Sequence, residues 1–199
     1  MGEAVLIKSE DSIFRVAKKP SGYKVSPRRK TDLRTVSDGL RLLPQIQACY
    51  KNGGHFIDTL HLLENVLFQA GFFVHLVEDK ELPETAAFTL PQDGLIVLRN
   101  SIYDGLFTDD AFSRYTIVHE FSHIVLGHAI TLHRGATLGA HQWYEDSEWQ
   151  ANNLTAELLM PVEVIKKLDC NPLLIMTECG VSDQATQYRL ANLAKEGLI

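Results

Sequence analysis

One pentapeptide restricts this chain more than any other stretch: His119-Glu120-Phe121-Ser122-His123, an H-E-x-x-H run inside a segment that reads as helix. Residues four apart on an α-helix differ by about 40° in bearing and about 6 Å in height. Both imidazoles can therefore reach one cation from the same face, with the Glu120 carboxylate beside them. Thr108 is the expected N-cap, Asp109 and Asp110 fall in the first turn where the dipole favours anions, and Gly127 marks the end. Ile117, Val118, Phe121, Ile124, Val125 and Leu126 leave almost no solvent-facing position, so the helix is expected to be buried. Burying two histidines and a glutamate is costly unless a divalent cation compensates. The alternative is a pair of core histidines with satisfied hydrogen bonds beside a chance glutamate, and the pentapeptide alone does not choose between them.

A catalytic zinc site needs a third protein ligand and an open fourth position. Residues Tyr144 to Pro161 form a second helical segment, with Asp146 or Ser147 near its start and Ala151, Leu154, Ala156, Leu158 and Leu159 as apolar surface. Taken together, H-E-F-S-H and the later E-W-Q-A-N-N-L-T-A-E-L-L-M-P resemble the ImmA/IrrE family of metallo-endopeptidases. Arg114-Tyr115-Thr116-Ile117-Val118 resembles the family's arginine-aromatic lead-in. The resemblance runs from about Phe56 to about Leu193, and the first fifty residues take no obvious part in it. It implies that Glu148, 25 residues beyond His123, is the third ligand. Glu145 lies near the same helical face and is the competitor. Asn152, four residues after Glu148, points the same way, either to hydrogen-bond a ligating imidazole or as a helix-surface amide.

The residue types dictate the chemistry. Two neutral imidazoles and one carboxylate leave a Zn²⁺ site with net positive charge, which lowers the pKa of a bound water toward neutrality. Glu120 cannot easily ligate the same ion as its flanking histidines and is instead the general base. Tyr144, His141 and Arg189 are candidates for stabilising an oxyanion. His128 is five residues from His123 and faces elsewhere on a continued helix, which suggests a cation near a helix C-terminus. His55, His61 and His75 lie upstream with no ligand spacing among them and read as structural or surface residues. The ligand set favours zinc, with Mn²⁺ or Fe²⁺ also compatible by ligand type.

Composition sets the outer bounds. The 199 residues suit one main domain with a small appendage, and 45% hydrophobic content supports a real core. No apolar run approaches a membrane span, the start is acidic and lacks a cleavable leader pattern, and Leu6 stands where myristoylation would want a hydroxyl. Three cysteines, Cys49, Cys170 and Cys179, without a C-x-x-C, read as reduced thiols in a cytoplasmic protein. Charge is unevenly spread. Eight of the 19 basic residues but one of the 25 acids lie between Arg15 and Arg34, leaving an acidic remainder. Pro20, Gly22 and Pro27 argue against a continuous element there, so the run is expected as an arm, either solvated or lying on its own acidic body, or binding nucleic acid or an acidic partner.

The expected architecture is α+β: a small zincin-like, thermolysin-like metallopeptidase whose three-stranded antiparallel sheet packs on helices, followed by helix-turn-helix-like C-terminal helices. Its parts are 1–50, a basic arm and helical segment in which Pro44 interrupts Leu33 to Tyr50; 51–161, the peptidase core; and 162–199, the C-terminal helices. The core opens with an amphipathic helix near His55 to Ala70, then strands at Phe72–Glu78, Thr85–Leu90 and Gly94–Arg99. The loop Ala129 to Tyr144, bearing Gly135 and Gly139, is expected as a rim of the cleft. Pro172 to Cys179 and Asp183–Ala194, the latter capped by Ser182, form the helix pair, which carries too little positive charge to grip phosphates. The resemblance implies a regulatory protein substrate, a helix-turn-helix repressor or antitoxin-like protein. The alternative is a binding partner in a toxin-antitoxin or repressor system with a structural or vestigial metal site.

Overall fold

A computed structural model describes residues 22–128 and 141–199. The mixed α+β chain is mostly helical. Helix α1 (Lys30–Arg41) and the short α2 (Pro44–Gln47) precede a small hairpin, β1 (Tyr50–Lys51) with β2 (Phe56–Ile57). The break between the helices falls at Pro44, as expected of a residue that cannot continue a helix from within. A helix then starts at α3 (Thr59–His61), where the Asp58 carboxylate accepts from the His61 amide at 2.9 Å, and runs on as a π-helical turn, Leu62–Leu67. Residues His55 to Ile57 therefore precede the helix predicted to contain them.

The sheet is built from β3 (Phe73–Val77), β4 (Ala87–Leu90) and β5 (Leu95–Arg99) in the order β3-β5-β4. The strands fall where predicted, but the sheet is mixed. Strand β5 runs antiparallel to β4 and parallel to β3, with Phe73 opposite Leu95 and Ala87 opposite Leu98. The alternation that marks a strand says nothing about which neighbour it will choose. Here the turn Pro91–Asp93 folds β4 back on β5, and the last strand inserts between the first two. Gly94 ends that turn at φ +59, and a Cβ there would collide with the Gly71 carbonyl, so both conformation and space require glycine.

Helix α4 (Asn100–Leu106) leads into α5 (Ala111–Leu126), which carries the H-E-x-x-H run. Asp110, not the expected Thr108, caps α5, accepting from the Ser113 amide at 2.8 Å. The Thr108 hydroxyl instead donates to the Gly105 carbonyl at the end of α4. Helix α6 (Ser147–Leu159) is capped by Asp146 and packs along α5, with Ser122 and Thr155 exchanging a hydroxyl hydrogen bond of 3.1 Å between them. Ile117, Val118, Leu154 and Leu158 are buried and belong to one apolar core that also takes in Ile96 and Leu98 of β5. Burial of each large aliphatic side chain contributes about 1.5–3 kcal/mol. Helix α1 lies along the other side of α6.

Three further helices follow: α7 (Val162–Lys167), α8 (Pro172–Cys179) and α9 (Asp183–Lys195), the last capped by Ser182 as expected. Arg189 of α9 is buried. Its guanidinium pairs with Glu157 of α6 at 2.5 and 3.0 Å and donates to the Met160 carbonyl, so the central cation of this helix faces inward. Arg34 of α1 reaches the same Glu157 as well as Glu196, and Lys30 also pairs with Glu196. Lys24, Lys30 and Arg34 of the basic run thus pair with the body's own carboxylates; Arg15, Lys18 and Lys19 lie outside the described residues. Most of the glycine-bearing loop, residues 129–140, lies outside them too.

Candidate metal centre

Helix α5 presents His119 and His123 on one face, and α6 brings Glu148 to meet them. The two Nε2 atoms are 3.0 Å apart, and each is 3.3 Å from a different Glu148 carboxylate oxygen. One ligand atom from each of the three residues falls within 4.8 Å of the other two. The donor set fits a tetrahedral divalent ion. Bonds of about 2.0–2.1 Å at tetrahedral angles put ligand atoms roughly 3.3 Å apart, and two imidazoles with one carboxylate are a catalytic zinc set. Burial works against the charged Glu148, yet the two histidines facing its oxygens overcome this and hold the carboxyl well below the usual range. Glu145, the competitor, points away: its carboxylate pairs with Lys24 and accepts from the Gln142 amide.

The cluster lies along a cleft of about 360 Å³, lined on one side by Thr85 to Thr89 and on the other by Phe112, Tyr115, Thr116, His119, Glu120, His123 and Glu148. Strand β4, one of the two outer strands of its sheet, forms that first wall. Glu120 is buried, and one carboxylate oxygen accepts a 2.6 Å hydrogen bond from the Thr89 hydroxyl of β4. Nothing local marked Thr89; only the pairing of β4 beside α5 brings the two together.

The Tyr115 ring stacks against His119 with centroids 5.8 Å apart, and its hydroxyl donates to the Asn152 side-chain oxygen. Burial, then the charge of Glu148, push that phenol up to about 12, so it remains a donor. Asn152 therefore holds Tyr115 and makes no hydrogen bond to an imidazole. His141 bonds Asp146 at 3.0 Å, Tyr144 sits edge-on to Trp143, and neither lines the cleft; Arg189 is committed to Glu157.

Two contributions escaped the sequence reading. The first is residues 22–28. The Val25 amide bonds the Glu145 carbonyl and the Ser147 amide bonds the Tyr23 carbonyl, so this segment runs antiparallel to the start of α6, and Tyr23 lines the cleft. The second is His128. Helix α5 ends at Gly127 in the left-handed region, and the reversal returns the His128 amide to the His123 carbonyl at 3.0 Å. The ring ends up buried against His123 with its Nδ1 3.1 Å from the Nδ1 of that histidine. Extrapolating the helix to position 128 pointed it elsewhere, but the helix has already stopped. Burial first, then the neighbouring His123, bring its pKa down to about 4, so it is a neutral ring and not a C-terminal cation.

Residues 109–191 match the family model Peptidase_M78, the IrrE N-terminal-like domain. The match supports assignment to the ImmA/IrrE family. It spans α5, α6 and most of α9, and hence all three clustered side chains and Glu120. A family of metallopeptidases supports peptidase activity and implies a protein substrate. No curated protein matches the chain. No helix of the described residues is long and apolar enough to cross a membrane.

Proposed function

We propose that the protein is a zinc-dependent endopeptidase in which His119, His123 and Glu148 hold the metal and Glu120 is the general base. One observation carries the reading: ligand atoms of three residues on two helices converge, the two imidazole Nε2 atoms 3.0 Å apart and each 3.3 Å from one of the two Glu148 carboxylate oxygens, beside a carboxylate that the ligand set leaves free. A divalent ion bound there supplies Lewis acidity toward a water and a peptide carbonyl. Glu120 accepts the proton from that water through the oxygen not engaged by Thr89 and then delivers it to the departing amine. Thr89 limits its rotation. The Tyr115 phenol stacks against His119 and lines the cleft; its single hydrogen, given to Asn152 at rest, would turn to a developing oxyanion. Strand β4 offers an edge that is unpaired among the described residues, along the cleft, for an extended peptide to join as an added strand. The resemblance to a regulatory family supports a helix-turn-helix repressor or antitoxin-like protein as substrate.

Glu120→Gln tests the assignment. The variant is expected to keep one zinc per chain and its fold while cleavage of a helix-turn-helix repressor substrate falls at least about 100-fold. His123→Ala and Glu148→Ala are expected to lose the metal. Full biological activity in Glu120→Gln would favour a contact-only binding partner, and unchanged zinc content in Glu148→Ala would move the third ligand elsewhere.

A further inference from the structure

We propose that His128 and Gln150 are positioning residues which fix the tautomer of His123, so that its bare Nε2 faces the cation site. The proposal rests on the reading of His119, His123 and Glu148 as a metal cluster. Its logic begins at two carbonyls. The Gln150 side-chain nitrogen lies 2.8 Å from the Ser26 carbonyl and 2.8 Å from the Tyr144 carbonyl. Carbonyls only accept, so both amide hydrogens of Gln150 are spoken for and its orientation is settled. The remaining atom, Oε1, is an acceptor and stands 3.2 Å from the His128 Nε2, which must therefore carry a hydrogen.

That leaves the His128 Nδ1 facing the His123 Nδ1 at 3.1 Å, a contact with room for one proton. Placed on His128, the proton would make an imidazolium in a position 6% exposed, whose other nitrogen meets a neutral amide. It would also force the hydrogen of a neutral His123 onto Nε2, pointing it at His119 and Glu148. Placed on His123, it leaves both rings neutral and frees the Nε2 lone pair on the side where the ligand atoms converge. Free histidine prefers the opposite tautomer, so the chain Ser26/Tyr144–Gln150–His128–His123 selects a form the isolated side chain would not favour. His119 has no equivalent support: its Nδ1 is buried without a protein partner among the described residues. The two ligating rings are thus unequally prepared. The prepared one depends on residues 22–28, far from the H-E-x-x-H run in sequence.

Two measurements test this. Two-bond ¹H–¹⁵N correlation spectra of the full chain without metal should show His123 protonated at Nδ1 and His128 at Nε2; an Nε2-protonated His123 would overturn the proposal. Chelator-competition titration with zinc should then show His128→Phe binding about 10- to 100-fold more weakly than the parent. His128→Asn, which keeps an acceptor oxygen near the former Nδ1, should recover most of the loss. Unchanged affinity in a folded His128→Phe would also overturn it. If that variant does not fold, the parent's spectra decide alone. A parent chain that binds no zinc would sink the metal reading, while the tautomer spectra still judge the chain of hydrogen bonds separately.

Discussion

Replacing Arg114 by Met should destabilise the protein by about 3 kcal/mol, and the structure shows why. Arg114 is fully buried in the first turns of α5, and its guanidinium donates to the Ile57 carbonyl at 2.8 Å, the Gly180 carbonyl at 3.0 Å and the Cys179 carbonyl at 3.2 Å. The ring of Phe56 covers it at 3.6 Å. Its nearest carboxylate, Asp109 at 3.6 Å, is exposed and adds little. Burial lowers the pKa from the ordinary arginine value, which measures the cost of keeping the charge there. Methionine fills much of the same volume and removes that cost, but it leaves three carbonyls without their donor, two of them on buried residues, each worth about 1–3 kcal/mol when unsatisfied. A return of some kcal/mol from the lost charge burial reduces the sum to about 3. Equilibrium urea unfolding with an unchanged m-value is the assay. A loss below about 1 kcal/mol would refute the claim that this arginine pins α5 to β2 and the end of α8. Gly180, at φ +63, would drive a Cβ into both Phe56 and the Arg114 guanidinium, so Gly180→Ala should fail by the same assay.

Thr89→Val, nearly isosteric, should leave zinc content unchanged and reduce peptidase turnover about tenfold, since a hydrogen bond to a charged group is worth about 1.5–3 kcal/mol and water in the cleft replaces part of it; wild-type turnover would show that packing alone holds Glu120. Burial pushes the Cys49 and Cys179 thiols up to about 11, so iodoacetamide at pH 8 should label the partly exposed Cys170 first, and rapid modification of Cys179 in the folded state would contradict its burial. Burial opposes the charged Glu196, but the hydrogen bonds from Lys30 and Arg34 outweigh it and lower its pKa. Its contribution to stability is therefore present above the unfolded value of about 4.5 and is lost as pH falls through the lower folded value. Glu196→Gln should cost up to about 1 kcal/mol at pH 7 and flatten that acid limb; identical stability-against-pH curves for the two proteins would refute the pairing.

Local signals read well along the chain because each depends on near neighbours. The hydrophobic period of α5, the strand segments and the cap at Ser182 all involve residues within a turn or a pleat of one another. Signals failed where two local candidates competed. Thr108 and Asp110 can both cap a helix, and the choice fell to Asp110 because α4 ends so close that Thr108 is used to close it. Strand order was not legible either, since β3 and β5 pair in parallel only because β4 takes the outer position.

The candidate site divides along the same line. The spacing of His119 and His123 on one helix was enough to put both rings on one face with Glu120 beside them, because helical geometry is set by the backbone and not by its surroundings. Everything that turns this pair into a cleft came from contacts between residues distant in the chain. Glu148 enters from α6 while Glu145 is drawn off by Lys24, Thr89 reaches Glu120 across from the sheet, and His128 meets His123 because the helix reverses at Gly127. Hydrogen bonds and ion pairs of this kind depend on where whole elements dock, and docking is decided by burying apolar surface over the entire fold. A chain alone can therefore pair its candidate histidines on one helical face, but the partners that orient them exist only once the core has closed.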